Sequence, residues 1–166
     1  MARTKSSHRW LQEHFDDVYV KKAHAEGYRS RAVYKLKEID EKERLFQPGM
    51  TVVDLGAAPG GWTQYIAEKL PHNATIIALD ILPMIPIAGV NLIIGDFRDE
   101  LVLQQLIQVL PVSGVDLVLS DMAPNMSGNM AVDIPRAMYL AELAYDFGRQ
   151  RLTPGGTLLM KIFHGS

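Results

Sequence analysis

Short, uninterrupted apolar runs recur along this chain from residue 51 onwards, and longer stretches with the apolar spacing of a helix separate them. The runs are TVVDL (51–55), TIIALD (75–80), VNLIIGD (90–96), VDLVLSD (115–121) and GTLLMKIF (156–163). Apolar residues at successive positions, rather than at every second one, predict strands covered on both faces. The patterns between them predict helices from about Gly61 to Leu70, Arg98 to Leu110 and Pro135 to Arg151. Strands alternating with helices make a mostly parallel sheet, so the expected fold class is α/β, doubly wound and Rossmann-like. The run LTPGG (152–156) reads as the breaker and turn between the last helix and the last strand.

Ahead of residue 51 the rhythm differs. The sequence from Gly27, GYRSRAVYKLKEIDEKERLF, predicts a helix with Ser30 as its cap and Ala32, Val33, Leu36 and Ile39 as its apolar stripe. Arg31 and Lys35 lie four residues apart and so share one face. There is no internal repeat or low-complexity segment, and one domain over residues 28–166 is expected behind a basic N-terminal arm, residues 1–27.

Composition narrows the classes. The 166 residues are 48% apolar and 22% charged, enough for one sizeable core. There is no cysteine, which excludes disulfides, thiolate metal sites and a cysteine nucleophile, and suits a reducing, cytoplasmic setting. The basic N-terminus has no apolar stretch behind it, and Ile76 to Ile94 is broken by Asp80, Pro83 and Pro86, so neither a secretory signal nor a membrane span is expected. The net charge of −2 conceals an asymmetry: residues 1–37 carry nine Lys/Arg against four Asp/Glu, and residues 38–166 carry eight against fifteen. A basic arm on an acidic body suits contact with a polyanion along one edge, or is simply a solvated tail. The five histidines have no metal-ligand spacing, and no metal is expected.

In sheets of this kind ligands bind beyond the carboxyl ends of the strands. Acids stand there: Asp54, Asp80, Asp96 and Asp121. After the first run comes Gly56-Ala57-Ala58-Pro59-Gly60-Gly61-Trp62, a glycine-rich turn that opens a helix and lets backbone approach a ligand closely. It lacks the G-x-G-x-x-G of a dinucleotide loop, and no Gly-Lys-Ser/Thr P-loop is present, so a nucleoside with a charged amino acid tail fits better than a pyrophosphate. Asp80, twenty residues after Gly60, stands where a carboxylate accepts ribose hydroxyls, and Asp96 where one accepts an adenine amino group. Each has a plainer alternative: Asp80 as a turn residue, Asp96 as a helix cap and Trp62 as core. Lys161 interrupts a run expected to be buried on both faces, so it must reach solvent, pair or lose its proton, with Asp121 one strand away as its natural partner.

Taken together, SRAVYKL (30–36), DLGAAPGGW (54–62), LDILPM (79–84), GDFRDE (95–100), SDMAPNMSG (120–128), VDIPRAM (132–138) and LTPGG (152–156) resemble the FtsJ family of ribosomal RNA large-subunit methyltransferases over nearly the whole chain. The resemblance implies a Rossmann-like S-adenosyl-L-methionine-dependent methyltransferase. It would transfer a methyl group to the 2′-oxygen of a uridine in large-subunit ribosomal RNA, acting as a monomer on the assembled large ribosomal subunit. It implies cofactor contacts at Gly56, Gly60, Trp62, Asp80, Asp96 and Asp121, and a Lys-Asp-Lys-Glu tetrad whose first three members match Lys35, Asp121 and Lys161. The family continues with a further helix and two strands that bring the glutamate, whereas this sequence stops at His164-Gly165-Ser166.

On this reading Lys161 takes up the hydroxyl proton once Lys35 and a dry site lower its pKa, Asp121 orients it, and Lys35 steers the ribose or its phosphate. Arg29, Arg31 and Lys35 would face the RNA. Carbon-5 pyrimidine methylation is disfavoured by the lack of cysteine, and base amino-group methylation by the lack of an aromatic ring in Asp121-Met122-Ala123-Pro124-Asn125. The alternative is an RNA-binding ribosome-assembly factor that keeps the fold with little or no turnover.

Overall fold

A computed structural model describes residues 17–70 and 73–162. Its five strands are β1 (Thr51–Leu55), β2 (Thr75–Asp80), β3 (Val90–Ile94), β4 (Val115–Ser120) and β5 (Leu152–Met160), paired in parallel in the order β3-β2-β1-β4-β5. The helices are α1 (described over residues 17–26), α2 (Val33–Glu43), α3 (Gly61–Lys69), α4 (Glu100–Val109) and α5 (Met130–Arg151). The α/β, doubly wound expectation is met.

Successive strand residues point to opposite faces, and each face has its own core. Val52, Ile76, Leu117 and Leu119 pack with Val33 and Leu36 of α2 and with Trp62, Tyr65 and Ile66 of α3. Val53, Leu55, Ile77, Leu79 and Val118 pack with Leu106 of α4 and with Ala144 and Phe147 of α5. Both cores press on β1, which is why all five of its residues, Asp54 included, are buried.

Four local expectations need correction. Ser30 does not cap α2: Ala32 holds the N-cap position without a side-chain bond, and the Ser30 hydroxyl instead lies 2.5 Å from where a Cβ on Gly61 would stand. Helix α5 begins at Met130, not Pro135, because Asn129 accepts the Ala131 N–H at 3.0 Å and caps it there. Pro135 is tolerated near the start at the loss of one backbone bond. LTPGG is not a turn but part of β5, where five residues from Leu152 to Gly156 bulge against two of β4 before pairing resumes at Leu117 and Thr157. Lys161 follows β5 instead of lying inside it, and among the described residues β5 is an edge strand with partly exposed positions.

Ten residues of the basic arm are helical in α1, with Ala23 buried against the body and its carbonyl accepting the Tyr28 N–H at 2.8 Å. Residues 1–16, which hold His8 and His14, lie outside the described residues.

Candidate active site at the carboxyl rim

The parallel ladder delivers the rim one residue beyond each strand. Asp121 N–H donates to Leu55 O at 3.0 Å, Lys161 N–H to Ser120 O at 2.9 Å, and Gly56 N–H to Leu79 O at 2.8 Å, so the ends of β1, β2, β4 and β5 are in register. Gly56 (φ +75°) must be glycine: a Cβ there would stand 2.7 Å from Met122 N and 2.9 Å from Asp121 O. Gly60 (φ +110°) is the N-cap of α3, and the Ala58–Pro59 peptide within the loop is cis.

Asp80 cross-links the two loops beside this rim. One carboxylate oxygen accepts Ala58 N–H at 2.8 Å, in the glycine-rich turn, and the other accepts Leu82 N–H at 2.9 Å, in the segment after β2. The turn-residue alternative is therefore correct as far as it goes. A carboxylate has about four acceptor sites, so two are left for ligand hydroxyls. Asp96 does not cap α4: Asp99 does, accepting Leu101 N–H at 3.0 Å. The Arg98 guanidinium grips both Asp96 oxygens at 2.7–3.1 Å, and these bonds hold the Asp96 carboxyl below its usual range.

The Lys161 ammonium lies 3.5 Å from an Asp121 carboxylate oxygen. Burial pushes the Asp121 carboxyl up, the Lys161 charge pulls it back down, and Asp80 adds a smaller upward push. The Lys161 side chain is 68% exposed, so the described residues alone do not supply the dry site that a base role calls for.

Lys35 is not brought to that pair. Its side chain is 70% exposed on α2 with its ammonium 3.6 Å from Glu38. Arg31 is exposed just before α2, whereas the half-buried Arg29 reaches across the surface of two loops and donates to the carbonyls of Pro59, Ile85 and Pro86. Trp62 is buried in the core and donates its ring N–H to Ala32 O at 2.8 Å, which leaves its backbone as the part that fronts the glycine-rich turn.

With this rim in view, the comparison with known families decides the assignment: residues 28–166 match the model of the FtsJ-like methyltransferases. The chain belongs to that family. An FtsJ-like relative in Legionella pneumophila (strain Corby), called ribosomal RNA large subunit methyltransferase E, is 70% identical over 166 residues, the whole of this chain and 81% of that protein. A protein of the same name in Hydrogenovibrio crunogenus is 60% identical over 165 residues, covering 99% of this chain and 80% of its own length. In three dimensions a solved ribosomal RNA methyltransferase structure from Plasmodium falciparum superposes with a TM-score of 0.76 at 33% identity, over 84% of this chain and 80% of that one.

Asp54, expected with the acids at the carboxyl ends of the strands, lies inside β1 instead, and two further features, Asp133 and the Arg29 contact set, escaped the sequence. Asp54 is fully buried, accepts the Thr63 hydroxyl at 2.7 Å, and has its other oxygen unpartnered among the described residues. Asp133 is buried at the start of α5 and gathers the end of the loop after β4, accepting Ser127 N–H at 2.9 Å, the Ser127 hydroxyl at 2.8 Å and Gly128 N–H at 3.1 Å. These bonds hold its carboxyl well below the usual range. Of the Arg29 contact set and Asp133, only Asp133 had a signal, an acid four residues after a capping asparagine.

Proposed function

We propose that this FtsJ-like protein is an S-adenosyl-L-methionine-dependent methyltransferase that modifies a uridine ribose 2′-hydroxyl of large-subunit ribosomal RNA, on the assembled subunit in the cytoplasm. The observation that carries the reading is the Lys161–Asp121 pair at the end of β4, beside a glycine-rich turn cross-linked by Asp80. The names of the 70% and 60% identical relatives support ribosomal RNA as the substrate.

The residues present fit the cofactor. Gly56 and Gly60 keep side chains off the turn, Asp80 retains acceptor capacity for ribose hydroxyls, and Asp96 accepts from an adenine amino group once Arg98 shares its carboxylate. When bound, S-adenosylmethionine supplies a methyl group already activated by the sulfonium charge. The protein then has to align the ribose oxygen and accept its proton. Asp121 orients the Lys161 side chain, and its amine accepts the 2′-hydroxyl proton, in a site that bound RNA closes to water. General-base help of this kind contributes about 10²–10⁴ in rate.

Arg31 and Lys35 lie on the RNA-facing edge, at the junction of the basic arm, residues 1–27, with the domain, residues 28–166. The Lys35–Glu38 contact is exposed, and such pairs contribute about 0.2–1 kcal/mol, so a phosphate displaces Glu38 at little cost. No helix among the described residues is long and apolar enough to cross a membrane.

Single-turnover transfer of labelled methyl to deproteinised ribosomal RNA and to assembled large subunits, followed by nucleoside analysis, tests the reading. A 2′-O-methyluridine product, faster on subunits, supports it. A base-methylated nucleoside would refute it, and cofactor and subunit binding without transfer would favour the assembly-factor alternative.

A further inference from the structure

Two oppositely charged side chains staple the same pair of loops together. From one side, the Asp80 carboxylate takes backbone N–H groups, Ala58 N–H at 2.8 Å from the glycine-rich turn and Leu82 N–H at 2.9 Å from the segment after β2. From the other, the Arg29 guanidinium gives N–H groups to backbone carbonyls: Nη1 to Pro59 O at 3.3 Å and to Ile85 O, and Nη2 to Pro86 O at 3.4 Å. The first carbonyl belongs to the turn and the other two to the segment after β2. Arg29 is itself fixed by α3, since its backbone N–H donates to Gln64 Oε1 at 3.0 Å while Gln64 Nε2 donates to Gly27 O at 2.9 Å. It lies directly over Gly60: a Cβ there would be 3.1 Å from Nη1 and 3.3 Å from the Met84 sulfur.

We infer that Arg29 is a positioning residue for the cofactor site, a latch that sets the spacing of the Gly56–Gly60 turn and the 81–86 segment, and not a phosphate contact for RNA. The inference rests on the S-adenosylmethionine reading above. Three features carry it. The guanidinium donors converge on carbonyls of both loops. Three bonds from one guanidinium act together, so the link holds although each lies at the surface. Finally, the spacing they fix is the one Asp80 also fixes, next to the acceptor sites a ribose would use. A planar fork spans two loops, which a point-like ammonium cannot do. The latch therefore makes a demand on geometry, whereas a phosphate contact would demand only charge.

Arg29→Lys and Arg29→Ala separate these roles in the binding of S-adenosylhomocysteine, measured by calorimetry with no RNA present. The latch requires both variants to bind at least about tenfold more weakly than the unaltered protein, and in methyl transfer to raise KM for the cofactor while kcat at saturation changes less. Melting of the cofactor-free variants and binding at a temperature where they are fully folded exclude loss of folding as the cause. Affinities within twofold of the unaltered protein for both variants would overturn the latch, as would a loss that disappears once the variants are fully folded. Failure of the unaltered protein to bind S-adenosylhomocysteine would instead refute the cofactor reading itself.

Discussion

Lys161 and Asp121 face each other 3.5 Å apart across the carboxyl ends of β5 and β4, each held by a ladder bond that runs one residue past its strand. Because the Lys161 side chain is largely in water, the pair contributes little to folding, and its replacement reports on chemistry. Lys161→Met keeps most of the side-chain volume. The variant is expected to bind S-adenosylhomocysteine normally and to lose at least about 10²-fold in single-turnover methyl transfer. Near-normal transfer would reduce Lys161 to a lysine reaching solvent from a strand end.

Asp80 carries two jobs, and its removal should show both. Asp80→Ala deletes the acceptor for ribose hydroxyls and strands the N–H groups of Ala58 and Leu82. We expect a loss of about 1–3 kcal/mol in cofactor binding, which calorimetry measures directly. Unchanged affinity would remove Asp80 from the site and leave it a structural link between loops.

The strands and the acids Asp80 and Asp121 at their carboxyl ends were legible because a parallel sheet buried on both faces writes itself as continuous apolar runs, as in TIIALD and VDLVLSD, whereas Asp54 of TVVDL proved to lie within its strand. The Gly56 to Trp62 turn was legible for a related reason, since close backbone approach admits only small residues. What sequence reasoning mislaid depends on contacts between distant segments. Lys161 looked buried because GTLLMKIF reads as one continuous apolar strand, whereas β5 ends at Met160 and Lys161 stands just past it, a boundary that the apolar pattern does not encode. Arg29 read as one more cation of a basic arm, because nothing local reveals that its guanidinium reaches carbonyls 30 and 56–57 residues away. Asp99 rather than Asp96 caps α4, a choice between neighbours that only the backbone path decides.

Lys35 and residues 1–16 test the RNA-facing edge. Phosphate contacts make log affinity fall with log salt, with a slope near the number of contacts. Lys35→Ala should lower the slope by about one, and deleting residues 1–16 by more, both with cofactor affinity unaltered. An unchanged slope in filter binding would mean that this edge is merely solvated.

Asp133 organises the loop after β4 by accepting three bonds from Ser127 and Gly128. Asp133→Ala removes the acceptor of two backbone N–H groups and a hydroxyl on exposed residues that water can partly reach, a loss of about 0.5–1.5 kcal/mol for each bond. A lower urea midpoint is expected, together with faster proteolysis within residues 122–129. A variant as stable and as resistant as the original would show that α5 starts without this acid.

Asp54 should make stability depend on pH. Its carboxyl is pushed up to about 7, chiefly by burial and to a lesser degree by the charges of Asp121 and Asp80, against the Thr63 hydroxyl bond, which pulls it down. An acid whose folded pKa exceeds its unfolded value, about 3.9, keeps its proton in the native state while the unfolded chain has lost it. The native state therefore binds more protons between about pH 4 and 7, and the contribution to stability, full below that window, is lost as pH rises through it and levels off above. Asp54→Asn preserves the shape, is neutral throughout, and removes this dependence. Urea midpoints measured from pH 5 to 8 should thus converge or cross, with the variant gaining on the unaltered protein as pH rises. Parallel curves would mean that Asp54 is already ionised across the range, and that a partner outside the described residues satisfies its second oxygen.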